Sequence, residues 1–102
     1  MRPIIWNDLD LLARKIAALH EEDRLPAAES IISRACYADA YRKRHGRIHA
    51  AWGNGSIMQV IGMDGPLPPT YRSNDPAYLR AMALVCTIFA ERAEGHKIKE
   101  AA

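Results

Sequence analysis

"PAAESIISRACYADAYRKRHG", residues 26–46, is the stretch on which the fold turns. Proline suits the first turn of a helix and glycine the position just past its last, so Pro26 and Gly46 read as a start and a stop. Between them Ala28, Ile31, Ile32, Ala35, Cys36, Ala38 and Tyr41 keep helical spacing, which predicts a helix running to about His45. The face they form is broad and rich in alanine, so neighbouring helices can approach it closely.

Upstream, "HEEDRLP" (20–26) is expected to be a break, because Pro26 disfavours a helical conformation at Leu25. The helix before the break is predicted to begin after Asn7 as N-cap, with Asp8 and Asp10 in its first turn and Trp6 stapled across the cap to Leu11. Downstream, residues 47–56 are turn-like and Ser56 is placed to cap a short helix, "IMQVIGM" (57–63). "DGPLPPTYRSND" (64–75) holds three prolines and a glycine and is expected to be irregular. Asp75 followed by Pro76 starts a last helix, expected to stop at Gly95. Its two apolar stripes, one through Leu79, Met82, Cys86, Phe89 and Ala93 and one through Ala81, Leu84, Val85 and Ile88, predict a central helix packed on both sides.

Seventeen alanines favour helix, and no segment alternates with period two long enough for a sheet. The predicted fold is an all-α bundle of three long helices and one short one, a single domain over residues 1–95 with a frayed tail at 96–102. Length allows one domain with a real core. The apolar runs are too short for a membrane span, and "MRPIIWNDLD" (1–10) lacks the pattern of a signal peptide. Cys36 and Cys86 fall in apolar helical patterns, where inert thiols in a reduced, cytoplasmic protein are expected.

The net charge is +2, yet residues 1–41 are net acidic and 50–102 neutral. The excess therefore lies in Arg42, Lys43, Arg44 and Arg47, a run without an acid. At about 100° per residue, Arg42 to His45 form a collar round the helix end rather than a stripe. The helix dipole alone accounts for such cations, at about 0.3–1 kcal/mol each. Arg47 and His49 lie beyond Gly46, and a basic run that crosses a helix end suits a phosphate backbone or an acidic partner. Tyr41 and Trp52 add rings able to stack on bases, or to serve as core or caps. Gly53, Asn54, Gly55 and Ser56 make a turn whose N–H groups, with the helix end behind them, suit an anion. The same four residues also suit a plain tight turn with a serine cap, and they lack the GK[ST] ending of a P-loop.

His45 and His49 have zinc-like spacing, but Gly46 between them ends the helix and no ligand pair accompanies them, so no metal site is expected. No nucleophile, base and orienter stand together, so no catalytic residues, cofactor or enzymatic activity are expected.

The order "RP" (2–3), "YRKRHGRIHAAWGNGSIM" (41–58), "PLPP" (66–69) and "DPAYLRAMALV" (75–85) resembles a small family of uncharacterised bacterial helical proteins. That resemblance implies a helical fold and no assigned activity.

The expected function is therefore that of a non-enzymatic binding or adaptor protein acting through protein–protein contacts. Self-association as a homodimer is included, since the alanine-rich faces of the second and last helices leave apolar surface to cover. The alternative is nucleic-acid or anion binding through residues 42–56, by Arg42, Lys43, Arg44, Arg47, His49, Gly53, Asn54, Gly55 and Ser56.

Overall fold

The computed structural model describes residues 1–101, with side chains for residues 1–95. Four helices follow one another: α1 (Trp6–Ala17), α2 (Glu21–His45), α3 (Ile57–Met63) and α4 (Pro76–Ala101). The protein is all-α, with only an isolated bridge between His49 and Gly53 among the described residues. α1 and α2 each touch all three other helices, and α4 packs chiefly on α1.

The core forms where the apolar stripes meet. Leu12 and Ile16 of α1, Ile31 and Ile32 of α2, Ile57, Val60 and Ile61 of α3, and Val85 and Ile88 of α4 share one buried cluster. Ala13, Ala28, Ala35 and Ala81 are fully buried within it. With only a methyl group at those points, the helix axes can approach closely.

The helix ends are set by local chemistry, and two differ from expectation. α1 starts two residues early, at Trp6, because Asp8 caps from inside the helix: its Oδ2 accepts the Ile5 N–H at 3.0 Å. Trp6 is consequently 79% exposed and forms no staple. α2 begins at Glu21 rather than Pro26, and the break shrinks to residues 18–20. Glu21, Glu22 and Asp23 favour the positive helix end. Arg24 turns back to the carbonyls of Ala17 (3.3 Å) and Leu19 (3.3 Å), closing the end of α1. Pro26 lies inside α2, where its missing N–H leaves only the carbonyl of the exposed Glu22 without a helical partner.

Other ends match the sequence reading. Gly46 adopts φ 70° and its N–H reaches Arg42 O at 2.8 Å. Ser56 Oγ accepts the Gln59 N–H at 3.2 Å, and Asp75 Oδ1 accepts those of Ala77 (2.9 Å) and Tyr78 (3.2 Å). α4 passes through Gly95 to Ala101, so Gly95 does not stop it. The tail expected at 96–102 lies outside the residues whose side chains are described.

α4 is not sandwiched. Ala81, Val85 and Ile88 are buried, Met82, Leu84 and Phe89 are half-buried, and Leu79, Ala83, Cys86 and Ala90 face outward. Of its two expected stripes, the one through Ala81, Val85 and Ile88 is buried, whereas the one through Leu79, Met82, Cys86 and Phe89 is covered only in part, at Met82 and Phe89. Cys86, on that open stripe, is exposed and Cys36 on α2 is half-buried, instead of both being core thiols.

Arg14 grips the middle of the irregular segment 64–75. Arg14 donates from Nη2 to Pro68 O (2.6 Å) and from Nε to Pro69 O (3.0 Å), while its Nη1 meets Asp10 Oδ2 at 3.3 Å. The Tyr78 hydroxyl donates to the other Asp10 oxygen at 2.5 Å, which ties α4 to the same clamp. That hydrogen bond, then burial and the Asp10 charge, push the Tyr78 hydroxyl up to about 12 against the opposing Arg14 charge.

Candidate functional site

The basic segment is organised by an acid on its own helix. Asp39 occupies the apolar register of α2 and is 3% exposed. A carboxylate there needs cations, and α2 supplies them one turn later. Arg42 Nη2 lies 2.9 Å from Asp39 Oδ1 and Lys43 Nζ lies 3.0 Å from Oδ2. The Met1 amino group is the third, at 3.2 Å from Oδ2. Burial pushes the carboxyl towards its neutral form, but the hydrogen bonds from Arg42, Lys43 and the Met1 amino group outweigh it. They hold the acid well below the usual carboxylate range.

The turn after α2 folds back onto this acid. Gly55 adopts φ 95° and lies against Asp39 so closely that a Cβ there would fall 2.5 Å from Asp39 Cβ and 2.7 Å from its Cα. Arg42 Nε donates to Asn54 O at 3.3 Å, and Arg2 joins from the N-terminal arm through Nε to Asn54 O (3.1 Å) and N–H to Gly55 O (2.9 Å). Three of the turn's own donors are spent internally. Gly53 N–H reaches His49 O, Asn54 N–H reaches Gln59 Oε1, and Ser56 N–H reaches Asn54 Oδ1. These amides therefore build the turn and are not aimed at an anion.

His49 closes the other side. Its Nδ1 accepts the N–H groups of Ala51 and Trp52, each at 3.1 Å, which places the neutral ring's proton on Nε2. The ring stacks on Trp52 at 4.7 Å, and Tyr37 meets both rings edge-on, at 5.6 Å from His49 and 5.4 Å from Trp52. Tyr41 meets His49 edge-on at 5.0 Å and lies 4.4 Å from His45.

The nine residues singled out from the sequence thus separate. Arg42, Lys43, His49, Gly53, Asn54, Gly55 and Ser56 come together as one knot, tied by a few bonds to each other and by more to Asp39, Arg2 and Gln59. Arg44 and Arg47 stay exposed, with no ion pair among the described residues. The collar's counter-charge is Asp39, not the acidic start of α2. Among the described residues no three His, Cys, Asp or Glu side chains converge on one point. No helix in the described residues is long and apolar enough to cross a membrane.

A second surface has no counterpart in the sequence reading. Between α1 and α3 lies an open hollow of about 440 Å³, lined by Leu11, Met58, Gly62, Met63 and Leu67 with Asn7 and Arg14 at its polar edge. Met58 and Met63 are at opposite ends of a helix too short to bury both, and Leu67, between prolines, is 64% exposed. The only signal for it in the sequence is that pair of methionines and a leucine in a segment of turn residues.

The family model described as "Domain of unknown function (DUF7742)" matches residues 2–89, which span α1 to α3 and most of α4. No curated protein and no solved structure matches the chain.

Proposed function

This chain belongs to the DUF7742 family, and since that membership assigns no chemistry we propose its function from its surface: a non-enzymatic, cytoplasmic binding module acting through protein–protein contacts, self-association included. The observation that carries the reading is the hollow between α1 and α3. A folded monomer of this size gains by covering apolar side chains, and here Met58 and Met63 on α3, and Leu67 in the segment that follows it, are left open. Methionine suits such a role because its unbranched, polarisable chain adapts to the apolar side chain of an incoming helix or loop. Two unpaired thiols fit a reducing compartment. The protein reading is preferred to nucleic-acid or anion binding because Arg42 and Lys43, half of the basic run, are engaged by Asp39.

The test is affinity capture from native cell extract with wild type and with Met63→Glu/Leu67→Glu, both checked for helical circular dichroism. A protein recovered by wild type and lost by the variant supports the reading. Equal recovery by both, or none by either, refutes a role for the hollow.

A further inference from the structure

We propose that the exposed face of α2 pairs with the same face of a second copy in an antiparallel, two-fold arrangement; this rests on the protein-binding reading above and names one partner and its surface. Glu22, Pro26, Ser33, Tyr37, Ala40 and Arg44 are all exposed and recur at helical intervals along one side of α2. The buried residues Ala28, Ile31, Ile32, Ala35 and Ala38 take the other side. Ser33 and Ala40 are small, so a second helix can come close there, while Glu29 and Tyr37 stand on the same side.

What identifies the occupant is the order of charge. Glu22 ends the face with an acid and Arg44 ends it with a base, about 33 Å apart at 1.5 Å per residue. Neither takes part in an ion pair among the described residues. Ser33 is midway between them. Turning a second copy by 180° about that point puts Glu22 opposite Arg44 of the second copy and Arg44 opposite its Glu22. It also puts Glu29 opposite Tyr37, whose hydroxyl can donate to the carboxylate. The two helix dipoles then run antiparallel, a further favourable alignment. Self-complementarity of this kind is what an isologous interface requires.

The flank supports it. A groove of about 690 Å³ lies beside this face between α2 and α4, lined by Leu25, Ile32, Cys36 and Ile88 with Glu29 and Arg92. A two-fold axis brings the same flank of both copies together, so each groove is covered by the other. The outward strip of α4 through Leu79, Ala83, Cys86 and Ala90 is also open, but no charge pattern on it specifies what covers it.

The experiment is sedimentation equilibrium of wild type, Glu22→Arg, Arg44→Glu, and an equimolar mixture of the two variants. The expected result is a concentration-dependent dimer for wild type. In each variant alone two symmetry-related pairs turn repulsive, and association weakens about tenfold or more. In the mixture the introduced arginine of one chain faces the introduced glutamate of the other, and the native Arg44 of the first faces the native Glu22 of the second, so dimer returns. Wild type that stays monomeric up to about 1 mM overturns the proposal, since that is weaker than a useful interface; the capture experiment on the hollow is unaffected by that result. A wild-type dimer that ignores both substitutions, or variants whose mixture does not recover it, overturns the α2 surface while leaving self-association standing.

Discussion

Replacing Gly55 by alanine asks one methyl group to occupy space already taken by the backbone of α2. Two costs arise separately. The backbone at φ 95° is one that side-chain-bearing residues rarely adopt, at about 1–2 kcal/mol. The new Cβ would also meet Asp39 Cβ at 2.5 Å, its Cα at 2.7 Å and its N at 2.9 Å, where carbon contacts normally lie near 3.5–4 Å. Two of those atoms belong to a helix backbone and cannot rotate aside. The turn must instead lift off, loosening the Arg2 and Arg42 bonds to it, a strain of about 1–3 kcal/mol. The sum is about 2–5 kcal/mol, which lowers the melting temperature by about 10 °C or more in a domain of this size. Two neighbours calibrate the number. Gly46→Ala bears the conformational cost alone, since nothing lies within 4 Å at φ 70°, and should lose about 4–16 °C. Gly53→Ala should also lose more than Gly46→Ala, because its new Cβ would meet Gln59 Cβ at 2.7 Å, which side-chain rotation cannot move, and would displace the Gln59 oxygen from its bond to Asn54 N–H. Thermal unfolding followed by circular dichroism at 222 nm, with reversibility checked, reads all three. A Gly55→Ala loss no larger than that of Gly46→Ala would refute the close approach of turn and helix.

Two further outcomes concern pH. The folded Asp39 is a stronger acid than the unfolded one, so its stabilisation is complete above about pH 4 and fades as pH falls below that value. Asp39→Asn should cost about 1.5–3 kcal/mol at neutral pH and flatten the acid limb of a stability–pH curve measured by urea unfolding; an unchanged limb would assign acid sensitivity elsewhere. At the other extreme, the folded Tyr78 holds its proton more tightly than the unfolded residue, so stability is full below about pH 10 and declines towards pH 12. Tyr78→Phe should remove that part of the alkaline decline, and an identical curve would mean that the Asp10 bond does not form in solution.

The sequence disclosed the fold well where the signal was local. Gly46, Ser56 and the Asp75–Pro76 pair act within four residues of themselves, and each holds the end assigned to it. The start of α2 was hidden because Pro26 outweighed three acids and a back-reaching Arg24. In the basic segment the residues were legible but not their engagement. Asp39 sits three and four positions before Arg42 and Lys43, a spacing visible in the chain. Its burial, and the return of Gly55 and the N-terminal arm to cover it, depend on contacts between segments distant in sequence. The hollow between α1 and α3 was illegible for a related reason. Met58 and Met63 look like ordinary core residues until the short α3 proves unable to turn both inward.

The clamp at Arg14 bears on how this chain can vary through descent. Its two grips on the segment after α3 are to carbonyl oxygens, and every amino acid carries one. Positions 68 and 69 can therefore drift in identity without altering what Arg14 receives, provided the backbone keeps its course. Position 14 has no such latitude. A lysine would bring one point charge where a planar fork now spans two carbonyls and a carboxylate. Heredity weighs unevenly on the two sides of this contact: one partner is specified by the shape of the chain, the other by a single codon's meaning.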